Sequence, residues 1–360
     1  LIARIEAQMC EGELKRRRWV AEYGHVPIPI TVRARDHWLV ACGSSIFHSP
    51  TWKTFHDCLL DYMRLRFGAE WWAQELRKPH DDQHPLAHWH ARVLTFMKSR
   101  AQPEGVSQAP LAGVVGAFLR LAYDLFTIQQ SMLLQEQLIA RLKQKRGFQG
   151  ASYEVQVAAS FVRAGFTIEL ENERDGSTTH CEFTARHIRT GAAYSAEAKS
   201  RHRPGVLGET GEQPDRDSIT ADVSRLIQRA LDKAAQHERV VFIEVNVPPK
   251  LVQGPDAARA WAEVGVEKVR RLEACQRPEA PWPSAFMFFT NYSPHYLSEA
   301  EPDYGRSIAF GGLNKPELQE GMGESMAVLK SRHPAMLDLF RSLHRHHKVP
   351  HDLDWFAEQG

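Results

Sequence analysis

Residues 179–200 read THCEFTARHIRTGAAYSAEAKS, and the alternation in this stretch decides how the middle of the chain folds. Arg189-Thr190-Gly191 is a turn signal between two runs of period two, the arrangement of a β-hairpin. On a strand, residues two apart share a face. Cys181, Phe183 and Ala185 therefore line one side of the first strand, and Tyr194, Ala196 and Ala198 one side of the second, making a coherent apolar face. The opposite side carries Glu182 on one strand and Glu197 with Lys199 on the other. A turn centred on Arg189-Thr190 places Glu182 directly across from Glu197. Facing carboxylates repel unless a cation sits between them, and two carboxylates with water suit Mg²⁺.

The tripeptide Glu197-Ala198-Lys199 means little alone, because Glu and Lys are common residues. The chain supplies its own control in Glu13-Leu14-Lys15, which lies in a charged helical stretch with no partner acids nearby. A second signal comes from GASYEVQVAASFVRAGF (150–166), a helix closed by Gly165. At about 100° per residue, Val155, Val157, Ala158, Ala159, Phe161 and Val162 form one apolar arc, and Glu154 falls in its middle. A carboxylate there is costly without a partner. The simplest partner is the metal or lysine cluster of the hairpin, onto which this helix is expected to pack. The bland alternative is a solvated polar hairpin face with a routine Glu–Lys pair.

Working outward, FTIEL (166–170) reads as a short strand, and the Gly/Pro/acid stretch 203–218 as a long loop. SITADVSRLIQRALDKAAQH (218–237) is an amphipathic helix with Ile219, Val223, Leu226, Ala230 and Ala234 inward. VVFIEVNVP and SAFMFFTNY are buried-type strands separated by the helix AARAWAEVGVEKVRRLEAC. The order helix, strand, hairpin, helix, strand, helix, strand predicts an α/β core with a mixed sheet flanked by helices.

This run, with its helix glutamate, acid-bearing strand and E-x-K strand, resembles the restriction-endonuclease-like, or PD-(D/E)xK, nucleases over about residues 147–250, extending toward 295. By that resemblance Glu182 takes the place of the first acid, Glu197 and Lys199 match E-x-K, and Glu154 matches the upstream helix glutamate. One departure is plain: the first acid is normally Asp, preceded by Pro, whereas here the run is His180-Cys181-Glu182. The resemblance implies metal-assisted hydrolysis. Glu182, Glu197 and the backbone carbonyl of Ala198 would hold Mg²⁺ (or Mn²⁺), Lys199 would orient water or stabilise developing charge, and Glu154 would hold a second ion or position Lys199. Arg201, His202 and Arg203, and Arg225 and Gln228 with Arg229 on the next helix, are the candidate phosphate-backbone contacts.

The first 146 residues predict a mostly helical N-terminal domain. ITVRARDHWLVACGSSIFHS (30–49) is a strand or hairpin within it, RAQPEGVSQAP a loop, and 111–145 a long helical run. The RGFQG segment (146–150) marks the boundary with a nuclease-like domain, 147–300, followed by a helical extension, 301–360. His80, His84, His88 and His90, and His344, His346 and His347, have no zinc spacing with a catalytic glutamate and read as solvated or capping residues. Lys15 to Trp19 reads as a solvated helix face, and the aromatics of residues 38–72 as core.

Composition sets outer bounds. With 43% hydrophobic and 25% charged residues and a mean hydropathy of −0.42, this is an ordinary globular chain. No run approaches the roughly 20 apolar residues of a membrane span, and acids interrupt the opening LIARIEAQMCEGEL, so neither a membrane partner nor a signal peptide is expected. Five scattered cysteines point to a reduced, cytoplasmic setting. A net charge of +1 leaves the nucleic-acid question to local surfaces. The expectation is an Mg²⁺-dependent nuclease, with DNA favoured over RNA by resemblance, in a setting such as prokaryotic defence or DNA repair. The N-terminal helices would position substrate or partner, sense a ligand or mediate homo-oligomer formation. The competing reading is a non-catalytic nucleic-acid-binding or assembly module that keeps the fold.

Overall fold

A computed structural model describes residues 2–100, 106, 113–131, 136–170, 181–202, 218–247, 255–292, 308–318 and 322–354. Of the loop expected over 203–218, residues 203–217 lie outside these residues, as does nearly all of RAQPEGVSQAP, and Ser218 begins a helix. The architecture is mixed α/β, with helices and two sheets. After helix α1 (Ile2–Tyr23), the alternating run 30–49 forms a three-stranded antiparallel meander, β1 (Ile30–Ala34), β2 (His37–Cys42) and β3 (Ser45–Ser49), one strand more than a hairpin. Helices α2 (Phe55–Phe67), α3 (Ala69–Arg77) and α4 (Pro85–Arg100) follow. Thr54 and Asp57 start α2 with a reciprocal capping box. The long helical run splits into α5 (Gly113–Ser131) and α6 (Glu136–Leu142). Helix α5 is buried continuously from Ala117 to Gln129, which is why its sequence lacks a polar face.

Helix α7 (Phe148–Arg163) opens the main sheet. Gly165, at φ +87°, supplies the left-handed residue that lets the chain leave α7 directly into a strand. The six strands β4 (Phe166–Leu170), β5 (Phe183–His187), β6 (Ala193–Ser200), β7 (Glu238–Glu244), β8 (Ala285–Thr290) and β9 (Ile308–Leu313) lie side by side in chain order. Strands β6, β7 and β8 are parallel, joined by α8 (Ser218–Leu231) and α9 (Pro255–Ala274), and the outer pairings are antiparallel. The predicted element order from α7 to β8 is present throughout. Strand β9 corrects the helical extension expected from residue 301, because it completes the sheet before α10 (Met322–Arg332) and α11 (Pro334–Arg345) begin.

Both sheet faces are covered, as parallel strands require. Val240 and Phe242 of β7 share one core with α7, whereas Val241 and Ile243 share the other with Val223 and Ile227 of α8 and Trp261 and Val269 of α9. Ile227 and Leu231 are buried in α8 alongside Val223 and Ala230; Leu226 is only partly buried, and Ala234 lies past the helix end. The α7-side core is continuous from Trp19 through α5 to Leu353, so one apolar interior crosses the 146/147 boundary. Among the described residues no helix is long and apolar enough to cross a membrane.

Of the histidines read as solvated or capping, His80 is exposed, whereas His84 is buried and serves both packing and capping. His84 Nδ1 accepts from the Leu86 backbone amide (3.1 Å) at the start of α4, and its ring meets Trp71 and Phe148. Burial lowers the pKa of His84, His56 and His346 from 6.5 to about 4. Above 6.5 both folded and unfolded chains are neutral at these rings. Between 6.5 and 4 the unfolded chain takes up protons that the folded chain refuses, so stability is lost as pH falls through this window. His84→Asn keeps an amide-accepting cap and removes one titrating group, and we expect its melting temperature to fall less steeply from pH 6.5 to 4 than that of the wild type. Parallel curves would refute that role for His84.

Candidate active site

The hairpin forms in the register the turn dictates. Phe183 pairs with Ala196 and Ala185 with Tyr194. The ladder stops there: Glu182 lies one residue before β5 and its amide donates to the Ala196 carbonyl (3.0 Å), which leaves its side chain at the hairpin mouth beside Glu197. The turn is closed by Gly191, at φ +72°, whose amide donates to His187 O (2.8 Å). Ala196 and Ala198 pack with α7, so Glu197 projects to the α8 side, level with Val241. That side is not solvated: Glu197 is 1% exposed, which removes the reading of a routine surface pair.

Two lysines answer these two acids. Lys199 Nζ forms an ion pair with Glu197 Oε1 and lies 3.5 Å from Glu182 Oε1. Lys233, in the connection from α8 to β7, places Nζ 3.0 Å from Glu182 Oε1 and 3.0 Å from Glu197 Oε1. The two carboxylate oxygens are therefore no more than about 6 Å apart. Glu197 Oε2 is buried without a hydrogen-bond partner.

Glu154, with 15% of its side chain exposed, meets the guanidinium of Arg141 on α6 through both oxygens, one at 3.0 Å. This corrects the expected partner, since the compensating cation comes from a neighbouring helix rather than from the hairpin. Helix α7 nevertheless starts beside the end of β6, where Gln149 Nε2 donates to Arg201 O (2.8 Å). The Glu182 and Lys199 charges both reach Glu154. The cluster holds three acids and three cations, so it is neutral when all are ionised.

Burial, reinforced by the Glu182 charge, pushes the Glu197 and Glu154 carboxyls up to about 7 against the pull of their cationic neighbours. At Glu182 burial acts the same way, but Lys233 and then Lys199 outweigh it and hold the carboxyl below its ordinary value. Burial works against the Lys233 charge, and the two glutamates more than offset it, raising its pKa.

Comparisons with known proteins leave the chain without a family. No family model matches it, and no solved structure does. One stretch of 77 residues is 35% identical to part of an aldehyde oxidoreductase of Megalodesulfovibrio gigas, covering 19% of this chain. The chain spans 8% of that protein's length.

The remaining sequence candidates fare differently. Ala198 is buried between the lysine and glutamate, in register with Phe242. Arg201 is only 4% exposed, and its amide donates to Glu244 O (3.0 Å). Its backbone extends the pairing with β7 one residue past β6, and its buried side chain is not presented as a surface phosphate contact, a correction to the sequence reading. Arg203 lies outside the described residues. Arg225 and Arg229 are exposed on α8, and Gln228 is half-buried. Glu13 and Lys15 make one-turn pairs on α1, with Arg17 (2.6 Å) and Glu11 (2.5 Å). Sequence reasoning missed Lys233 and Arg141. Neither has a local signal, because each reaches the cluster from another element.

Among the described residues, no three acidic, His or Cys side chains gather as metal ligands. Two do converge, and their oxygens already share one cation, Lys233. The donor set, two carboxylates with an unsatisfied Oε2, fits a hard divalent ion completed by a backbone carbonyl and water, provided Lys233 moves aside.

Proposed function

We propose that this chain is a divalent-metal-dependent nuclease of the restriction-endonuclease-like type, acting on DNA in preference to RNA. The observation that carries the reading is the convergence of Glu182, one residue before β5, and the buried Glu197 of β6 on shared lysines, with Lys199 two residues on from Glu197. A largely buried carboxylate pair is retained only with cations at hand, and one member of this pair, Glu197, sits on the strand carrying E-x-K.

Glu182, Glu197 and the Ala198 carbonyl would hold Mg²⁺ or Mn²⁺. Such an ion, when bound, polarises a phosphate and lowers the pKa of its water. Lys199 orients that water or meets charge developing on a phosphate oxygen. Arg141 fixes the Glu154 carboxylate at the margin of the cluster, where its charge would help position Lys199. Arg225 and Arg229 on the exposed side of α8, with Gln228 between them, supply backbone contacts that position a strand without reading its sequence.

A second reading, a non-catalytic nucleic-acid-binding or assembly module, draws support from the neutrality of the cluster, which is complete as ion pairs without metal. Metal removal separates the two. The full chain is expected to nick or cut DNA with Mg²⁺ or Mn²⁺ and to stop when EDTA is added, with RNA cut more slowly. Cleavage that persists unchanged in EDTA, or no cleavage of either polymer with either ion, overturns the nuclease reading.

A further inference from the structure

Lys233 occupies the point between Glu182 and Glu197 that a cation would take, 3.0 Å from one oxygen of each. Its backbone is pinned, since Lys233 O accepts from Arg239 Nη2 (3.0 Å). Its side chain is freer, with 22% exposed and a flexible four-carbon stem. Lys199 differs, because it rises from the same strand as Glu197 and is held against it.

Charge makes the two occupants exclusive. With both lysines in place, Glu182 and Glu197 are balanced. A divalent ion in place of the Lys233 ammonium leaves one surplus positive charge, which a single phosphodiester neutralises. The displaced ammonium finds in a neighbouring phosphate of the same strand an acceptor of the kind it leaves behind.

We propose that Lys233 is a displaceable internal counter-ion that keeps the carboxylate pair closed to divalent metal until a nucleic-acid phosphate draws it out, so that metal and substrate bind cooperatively. The inference rests on the nuclease reading of the same carboxylates and adds an order of events to it. By linkage, whatever duplex DNA does to metal affinity, metal must do equally to DNA affinity.

The test is Mn²⁺ binding to the full chain, followed by electron paramagnetic resonance, with and without a short phosphorothioate duplex that is cleaved slowly. Wild type is expected to bind Mn²⁺ about tenfold more tightly with the duplex present, a typical coupling. Lys233→Met is expected to bind Mn²⁺ about tenfold more tightly than wild type without DNA, and to gain little from it. Lys233→Gln, whose amide can still bond one carboxylate, serves if the methionine variant fails to fold by circular dichroism. Glu197→Gln should lose binding under both conditions. Equal Mn²⁺ affinities in wild type and the Lys233 variants, with Glu197→Gln still defective, overturn the gate and leave the metal site standing. Mn²⁺ binding untouched by Glu197→Gln overturns the site itself, and with it the nuclease reading.

Discussion

Lys199→Met is expected to slow metal-dependent cleavage by about 10²–10³-fold, the loss seen when one group aimed at developing charge is removed from a preorganised site. Methionine keeps most of the stem and removes only the ammonium. The fold should tolerate this, because Lys233 remains 3.0 Å from both Glu182 and Glu197 and still supplies a countercharge. The chain contains its own control. Lys15→Met alters the other E-x-K, whose residues pair one turn apart on α1, and cleavage should be unaffected. Initial rates of plasmid nicking at saturating Mg²⁺, beside far-ultraviolet circular dichroism, decide the matter. If Lys199→Met and Lys15→Met cut at the wild-type rate, Lys199 has no part in the chemistry.

The second large effect concerns stability and lies away from the candidate site. Asp124 on α5 is 1% exposed and accepts from Arg163 on α7, itself 1% exposed, and from Arg120 Nε (3.1 Å). Burial lowers the Arg163 pKa, and the Asp124 charge opposes that fall. The Arg163 guanidinium also lies 5.2 Å from the Tyr123 ring centre. Asp124→Ala leaves a buried cation without its carboxylate, which costs about 3–5 kcal/mol. Removing both charges in Asp124→Ala/Arg163→Met should return part of that loss, because the penalty is the orphaned charge more than the lost bond. Urea unfolding of the four proteins in the cycle measures both quantities. A single-variant loss below about 1 kcal/mol, in the range of an exposed pair, would show that the interior reaches water.

The hairpin was legible because strand parity and a turn signal suffice to set a register, and Glu182 beside Glu197 follows from nothing more distant. Glu154 was legible as an anomaly, an acid on an apolar arc, but its partner was not: Arg141 belongs to α6, and only tertiary packing brings it near. Lys233 was hidden for the same reason, since 34 positions separate it from Lys199 and a lysine after a helix carries no signal. Arg201 misled because adjacency to the motif suggested exposure, whereas the residue is buried just past the end of β6. Strand β9 escaped notice because Gly311 and Gly312 dilute its apolar pattern. Gly312 has a packing reason, since a Cβ at that position would come within 2.6 Å of Lys315 Cβ.

That last strand bears on how the chain can be divided. β8 is fully buried at all six residues, Ala285 to Thr290, and β9 satisfies the main-chain groups along its outer side. A fragment ending at residue 300, where the sequence alone suggests cutting, would bare a flat, uncharged, aromatic ribbon of open amides and carbonyls. Such a ribbon templates its own kind. Excised that way, the sheet would be prone to grow edge on edge into insoluble polymer, and the shortest portable piece of it must run at least through Leu313.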